Sequence, residues 1–245
     1  MVQAIQEAIV SEAQSVAGLN CSANLDAFTD LLAPVCVGVS RAALRATLAL
    51  PYGKGGVSTC ALVTSAIHYQ AGFAQEALSA RFVWGESVSR IVAYLRAAGM
   101  WINATPDKVP EPGNAVVIGH NADSSWGGVE HVFTVTGWNG DILESVDGGL
   151  VDAAGLQAIG PVRRRFVIRN GAPWVVHPEG DLASATGRRV QGWGGPYETP
   201  DALGPIEELL KPYSGTGWPY YALAGGAAAA GWVGARIMLG ARKGG

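Results

Sequence analysis

The chain has 245 residues, which allows one enzyme-sized domain with extensions or two small domains. Charged residues make up 15% of it, the net charge is -3 and there is no basic block, so a charge-expanded disordered chain and a protein that grips nucleic acid through its phosphates are both excluded. The three cysteines are too few for a disulfide scaffold and lack the spacing of a zinc site, so we expect no metal.

Residues 1–50 are predicted to form a helical leader. Ile5, Ile9 and Val16 recur near helical spacing among polar residues, and a second helical pattern, SRAALRATLAL, ends at Pro51. The first residues lack the basic start and apolar run of a secretory signal, so no signal peptide is readable.

Two more helices are predicted after residue 51. A glycine-rich loop, PYGKGGVST, leads into CALVTSAIHYQAG, a helix with Cys60 in its first turn and Gly72 at its C-terminal end. The next helix, ESVSRIVAYLRAAG, has an apolar face. That face consists of Val88, Ile91, Val92 and Leu95.

Beyond residue 99 the hydrophobic period shortens to two. The runs NAVVIG, HVFTVTG, DILESVD and RRFVIRN predict short antiparallel strands separated by turns. Residues 51–170 therefore indicate an α+β domain in which N-terminal helices pack on an antiparallel sheet.

Two segments of unusual composition follow. Residues 171–217 are rich in proline and glycine, which predicts an irregular arm without its own core. Residues 218–245 predict an apolar helix of small residues. Its 18 uncharged residues are enough for a membrane span, but small residues four apart equally suit close packing in a larger protein assembly or a homo-oligomer, and both interpretations stay open.

Cys60 is the candidate nucleophile of the chain. A helix N-terminus that follows a glycine-rich loop lowers the pKa of a thiol and presents backbone N–H groups that stabilise an oxyanion. The alternative is that Cys60 is a small buried residue of the helix.

His131 is the candidate base, and the register of its hairpin decides its partner. A two-residue Asn139-Gly140 turn would set His131 opposite Gly148 and send Asp147 to the other face. A three-residue loop, with Gly140 in the left-handed bulge position, sets His131 directly across from Asp147. We favour this second register, which predicts a Cys60, His131 and Asp147 triad.

The favoured register makes a further prediction about packing. Phe133, Val135 and Leu143 would share the face of His131 and Asp147. Because that face is apolar, we expect it to pack on the Cys60 helix, with the pair at its open end.

Other residues compete for these roles. His120 is a rival imidazole in a loop, while His68 lies two helical turns beyond the thiol, too far to contact it. Glu144 and Asp152 are alternatives to Asp147. The remaining cysteines, Cys21 and Cys36, are expected to be free thiols, with a mutual disulfide as the alternative.

The order of these motifs resembles the NlpC/P60 and CHAP superfamily of papain-like cysteine hydrolases over about residues 51–169. In that family a Tyr and Gly-Gly loop precedes the catalytic Cys, a Pro-Gly-Asp turn begins a strand, and the catalytic His begins the next strand. The matching residues are Tyr52, Gly55, Gly56, Cys60, Pro112, Gly113 and His131. The chain departs from the family at Thr59, Ala61 and Asn114, where an Asp, a Ser and an Asp are usual.

The resemblance implies a papain-like fold and a cysteine peptidase or amidase that needs no cofactor. Its substrate would be an amide bond of bacterial peptidoglycan or a peptide, with Tyr52 and Trp126 beside the substrate. The protein would act in the cell envelope or as part of a virion. The alternative is a non-catalytic structural or interaction protein that keeps a papain-like scaffold in a virion or envelope assembly.

Overall fold

The computed structural model describes residues 2–195, except positions 37, 53, 55 and 57 and the segments 74–87, 120–130 and 180–186. The predicted apolar helix at 218–245 therefore lies outside the described residues.

Five α-helices occupy most of the first hundred described positions. In chain order they are α1 (Val2–Val16), α2 (Cys21–Leu32), α3 (Arg41–Leu48), α4 (Cys60–Gln70) and α5 (Val88–Ala97). None of these helices, in the part of the chain that is described, has the length and apolar character that crossing a bilayer requires.

Seven antiparallel strands follow the helices in the described part of the chain. They are β1 (Trp101–Asn103), β2 (Ala115–Gly119), β3 (His131–Asn139), β4 (Ile142–Val151), β5 (Gln157–Arg169), β6 (Ala172–Val176) and β7 (Arg188–Gly194). Strands β2 to β7 close into a six-stranded barrel because β7 pairs with both β2 and β6. Strand β1 adds to the C-terminal half of β7, outside the ring.

Helix α4 is the centre of the helical layer. Every residue from Cys60 to His68 is buried, as expected of a helix with neighbours on all sides. It shares one hydrophobic core with α1, α2, α3 and α5 and with outward-facing strand residues such as Val132 and Val146. Residues 1–50 thus contribute to the same core as the helix that carries the candidate nucleophile.

A second core fills the barrel. Alternate residues of β2 show the division, since Val117 faces the helices while Val116 faces the barrel interior. The interior residues are Val116, Ile118, Phe133, Val135, Leu143, Val175, Val190 and Trp193.

The predicted packing of the β3–β4 hairpin is therefore wrong in one respect. Phe133, Val135 and Leu143 do share a face, but it is the barrel interior and not the face against α4. The helix packs on the opposite face of these strands, through Val132 and Val146. The error arose because both faces are apolar, and alternation cannot say which one meets the helix.

The predicted hairpin register is also wrong. Asn139 pairs with Ile142, so the turn is the two-residue Gly140-Asp141 and not a three-residue loop. Further along, Val135 pairs with Ser145 and Gly137 with Glu144, which leaves Thr136 as the extra residue of a β-bulge.

The bulge restores the relation between the two predicted partners. Without Thr136, the register set by the turn would place Asp147 on the face opposite to that of His131. With the bulge, Thr134 pairs with Val146, and His131 becomes a diagonal neighbour of Asp147 on the barrel interior.

The interpretation of residues 171–217 as an irregular arm is wrong for its described part. This part contains β6 and β7, which close the barrel. Asn170 and Gly171 both adopt positive φ, 50° and 71°, as a two-residue hairpin turn requires, and Arg169 pairs with Ala172 across it. The high proline and glycine content of this segment favoured an irregular arm, although the segment contains two short strands, the first of which follows this turn.

We expect Gly148→Ala to destabilise the protein by roughly 1–3 kcal/mol. A Cβ at Gly148 would lie 2.5 Å from the Cβ of Val63 in α4 and 3.0 Å from the carbonyl oxygen of Thr59. Urea denaturation followed by circular dichroism measures the change. In the control Gly137→Ala, the added Cβ would meet only Glu144 Oε2, at 3.8 Å. Equal stabilities of the two variants would contradict a close contact between this hairpin and α4.

Candidate active site

The first turn of α4 lacks a side-chain cap. Thr59 is the N-cap residue, yet its hydroxyl makes no capping hydrogen bond to the helix. The intrahelical ladder begins where the Val63 N–H donates to the Thr59 carbonyl at 2.8 Å. The first-turn amides, including that of Cys60, precede this ladder and form the positive end of the helix dipole.

The Thr59 hydroxyl binds the barrel instead. Both the N–H and the hydroxyl of Thr59 donate to Gln157 Oε1, at 3.1 Å and 2.9 Å, and the hydroxyl accepts from the Gly149 N–H at 3.0 Å. Thr59 and Gln157 are buried. These contacts fix the start of α4 against β4 and β5, and sequence reasoning did not identify them.

Two glycines let the strand approach the helix. A Cβ at Gly149 would lie 3.2 Å from the Cys60 amide nitrogen, and Gly149 has a φ of 74°. Gly148 is closer still to α4, since its Cβ would lie 2.5 Å from that of Val63. Larger residues here would push Cys60 away from the barrel.

Cys60 lies where the helix meets the rim of the barrel, and it is 4% exposed. Ser58 Oγ lies 3.5 Å from Sγ, and His131 and the Val132 N–H both act on the pKa of the thiol. Burial opposes ionisation, but the hydrogen bonds and the positive charge of His131 outweigh it and lower the pKa of Cys60. The site therefore favours the thiolate.

His131 bridges the thiol and a carboxylate. Its Nε2 lies 2.6 Å from Asp147 Oδ2, which leaves Nδ1 for Cys60. Burial lowers the pKa of this imidazole, but Asp147 and Cys60 raise it to about 9 overall. This pKa favours the imidazolium form of His131, and its positive charge in turn favours ionisation of the Cys60 thiol.

Asp147 is fully buried and its oxygens are saturated with donors. Besides His131, it accepts from Ser145 Oγ at 2.7 Å and from Arg164, whose Nη2 lies 2.5 Å from Oδ2 and whose Nη1 lies 3.1 Å from Oδ1. Burial raises the pKa of Asp147, but Arg164 and His131 lower it to about 2. Asp147 is therefore ionised across the whole neutral range.

Arg164 was not identified from the sequence. Its guanidinium also donates to Ser145 Oγ at 2.7 Å and stacks over the Phe133 ring at 4.3 Å. It is the middle residue of three consecutive arginines on β5, so strand alternation turns it inward while Arg163 and Arg165 face outward. This alternation is the feature of the sequence that could have indicated an inward-facing Arg164.

The rival residues lie elsewhere. His68 is buried, with its ring nitrogens 2.8 Å from the Thr64 carbonyl oxygen and 3.1 Å from that of Gly113, and burial lowers its pKa to about 4. It joins α4 to the turn before β2. Glu144 pairs with the outward-facing Arg163.

The remaining alternatives have structural roles. Asp152 accepts N–H groups of its own turn. Cys21 and Cys36 are buried and form no disulfide. Burial, with a contribution from Asp152, raises the pKa of Cys21 to about 11.

Of the two predicted substrate-binding residues, Tyr52 belongs to the described residues and Trp126 does not. Tyr52 lies in the loop before α4, is 56% exposed, and donates its N–H to the Gly155 carbonyl at 3.0 Å. Trp126 lies outside the described residues, as does His120. Among the residues that are described, no group of three or more His, Cys, Asp or Glu side chains is placed to hold a metal ion.

Comparison with protein-family models, curated proteins and solved structures found no match to this chain.

We expect a small alkylating reagent such as iodoacetamide to label Cys60 at a pH well below the value of about 8.5 for a free thiol. His131→Ala should raise the pKa of Cys60, because the cation that stabilises the thiolate is lost. Rates measured by mass spectrometry from about pH 4 to about pH 9 give the midpoint. His177→Ala, an exposed histidine, is the control. If Cys60 labels no faster than Cys21 at any pH, the thiolate assignment is wrong.

We expect Gln157→Leu to lower the free energy of unfolding by about 1–3 kcal/mol, because Thr59 is left with a buried N–H and hydroxyl that have lost their acceptor. It should also slow the labelling of Cys60, whose helix loses its anchor. Urea denaturation measures the first effect. The control Gln3→Leu removes only an exposed contact with Glu7 and should change stability by less than about 0.5 kcal/mol. Equal losses would show that the Gln157 contact is not an anchor.

Proposed function

We propose that the protein is a cysteine hydrolase that cleaves an amide bond, with peptidoglycan as its substrate. The observation that carries this proposal is the position of His131, whose Nε2 lies 2.6 Å from the buried carboxylate of Asp147 and whose charge and hydrogen bonding lower the pKa of Cys60. A nucleophile, a base and an orienting group in this order are the parts that covalent catalysis of acyl transfer requires.

In the first half of the reaction the Cys60 thiolate attacks the carbonyl carbon of the substrate amide. The oxygen of that carbonyl gains negative charge, which the Cys60 N–H at the uncapped end of α4 would stabilise. His131 then gives its proton to the amide nitrogen, the carbon–nitrogen bond breaks, and an amine leaves. A thioester on Cys60 remains.

In the second half a water molecule replaces the amine. His131, now neutral, takes a proton from the water while its oxygen bonds to the thioester carbon. The carbon–sulfur bond breaks, releasing a carboxylic acid and restoring the thiolate and the imidazolium. Asp147 stays ionised throughout and holds the ring so that Nδ1 faces the thiol.

The choice of substrate rests on the resemblance to the NlpC/P60 and CHAP superfamily. The residues that carry it are spread over the loop before α4, the turn before β2 and the start of β3. In the turn, Gly113 has a φ of 87° and Asn114 replaces the usual Asp, accepting the Glu111 N–H at 2.9 Å. We therefore propose an endopeptidase or amidase of the envelope or of a virion.

Digestion of purified peptidoglycan tests this function. The protein is incubated with sacculi, and released fragments are identified by liquid chromatography and mass spectrometry. We expect new amine and carboxylate ends, no release by Cys60→Ala, and a loss of roughly 10²-fold or more for His131→Ala. Cys21→Ala, at a buried cysteine that takes no part in this mechanism, should retain activity.

Two results would contradict the proposal. Undiminished release by Cys60→Ala would show that the thiol is not the nucleophile. No release by the wild-type protein would exclude peptidoglycan as the substrate, and if Cys60 also labelled slowly, the alternative of a non-catalytic scaffold protein would replace the hydrolase.

A further inference from the structure

Asp147 presents an electrostatic problem that His131 alone does not solve. The carboxylate has no solvent exposure, and an ionised carboxylate in such a place requires compensating charge and several donors. When Cys60 is a thiolate and His131 an imidazolium, the three groups together carry one net negative charge. Arg164, itself 15% exposed, brings the buried set to neutrality.

Several contacts hold the guanidinium in this place. It donates to both oxygens of Asp147 and to Ser145 Oγ, and its Cζ lies over the Phe133 ring. Ser145 also donates to Asp147 Oδ1. The carboxylate therefore cannot rotate away from His131 without losing several charge-assisted contacts.

We infer that Arg164 is a positioning residue that holds Asp147 ionised and aimed at His131, and so sets the pH range in which Cys60 is a reactive thiolate. This inference rests on the proposed function of the same site. Arg164 touches neither Cys60 nor a reacting atom; it acts through Asp147.

Other charged and titratable groups lie at this end of the barrel. On the far side, Arg188 pairs with Val175 across the β6–β7 contact, and the exposed His177 directly follows β6. Both stay unchanged in the variants below, so neither can cause a difference between them. Besides the four groups of the site, the described charged or titratable residues near this end include His177, just after β6, and Arg188 and Arg189 at the start of β7.

The direction of the effect follows from charge alone. Removing a positive charge makes every neighbouring proton harder to lose, so the pKa values of Cys60, His131 and Asp147 all rise. Arg164→Gln should therefore move the whole pH profile of Cys60 labelling to higher pH. We expect the acid-side midpoint to rise by about one unit, so that labelling below the midpoint falls about tenfold.

Two further variants separate charge from other causes. Arg164→Lys keeps the cation but loses the two-pronged contact, so it should leave the midpoint within about half a unit of wild type while slowing peptidoglycan cleavage. Arg163→Gln is the matched control, since this neighbour on β5 is exposed and pairs with Glu144 on the outer face. It should change neither the midpoint nor the cleavage rate.

The experiment measures alkylation of Cys60 against pH for the wild type and the three variants, with circular dichroism to show that each is folded. An unchanged midpoint in Arg164→Gln, or an equal shift in Arg164→Lys and Arg164→Gln, would overturn the inference. If Arg164→Gln fails to fold, the Lys variant decides: slower cleavage with an unshifted midpoint supports the inference, and a shifted midpoint or an unchanged cleavage rate overturns it.

Failure of this inference is distinct from failure of the proposed function. Alkylation needs no substrate, so a wild-type protein without a low-pH thiolate rejects the hydrolase mechanism itself. A wild-type protein with such a thiolate, and an Arg164→Gln variant with the same profile, rejects only the role of Arg164.

Discussion

Asp147 is a carboxylate with no exposure to water, and the arrangement of the site follows from that constraint. A buried negative charge must be matched by donors and by positive charge, and here His131, Ser145 and Arg164 supply them. Because His131 is held on one side by this carboxylate, its other ring nitrogen is directed at Cys60. The contacts that Asp147 makes inside the barrel thus contribute to the lowered pKa of the thiol, and they act on the sulfur through His131.

The barrel and the helical layer contribute the groups of the site from opposite faces of β3 and β4. His131 and Asp147 belong to the interior face of β3 and β4, whereas Cys60 arrives on a helix packed against their outer face. The groups meet only because the contact is at the rim, where β3 begins and where Gly148 and Gly149 let the helix come close. A helix displaced by even one extra Cβ on this strand would separate the thiol from the imidazole.

Periodicity was sufficient to predict the helices that begin at Cys60 and near Val88 and the strands around His131 and Asp147, since each has an alternating or helical pattern. It was insufficient for the hairpin register, because Thr136 sits in a run that alternates normally and nothing in it marks a bulge. Arg164 could not be assigned from the sequence for a related reason, because only the pairing of β5 with β4 shows that the middle arginine of the three faces the interior. The Asn170-Gly171 dipeptide, by contrast, is a recognised hairpin signal. The high proline and glycine content of the segment led instead to the prediction of an irregular arm.

The start of α4 departs from the usual pattern of helix capping because its N-cap side chain binds the barrel. Thr59 is a residue type that ordinarily caps a helix, yet its hydroxyl is engaged with Gln157 and Gly149 of the barrel. One set of contacts therefore has two effects. It anchors the helix that carries Cys60, and it leaves the first-turn amides beside that cysteine without a side-chain acceptor. In the proposed mechanism, the oxygen of the tetrahedral intermediate forms next to the sulfur and would be such an acceptor.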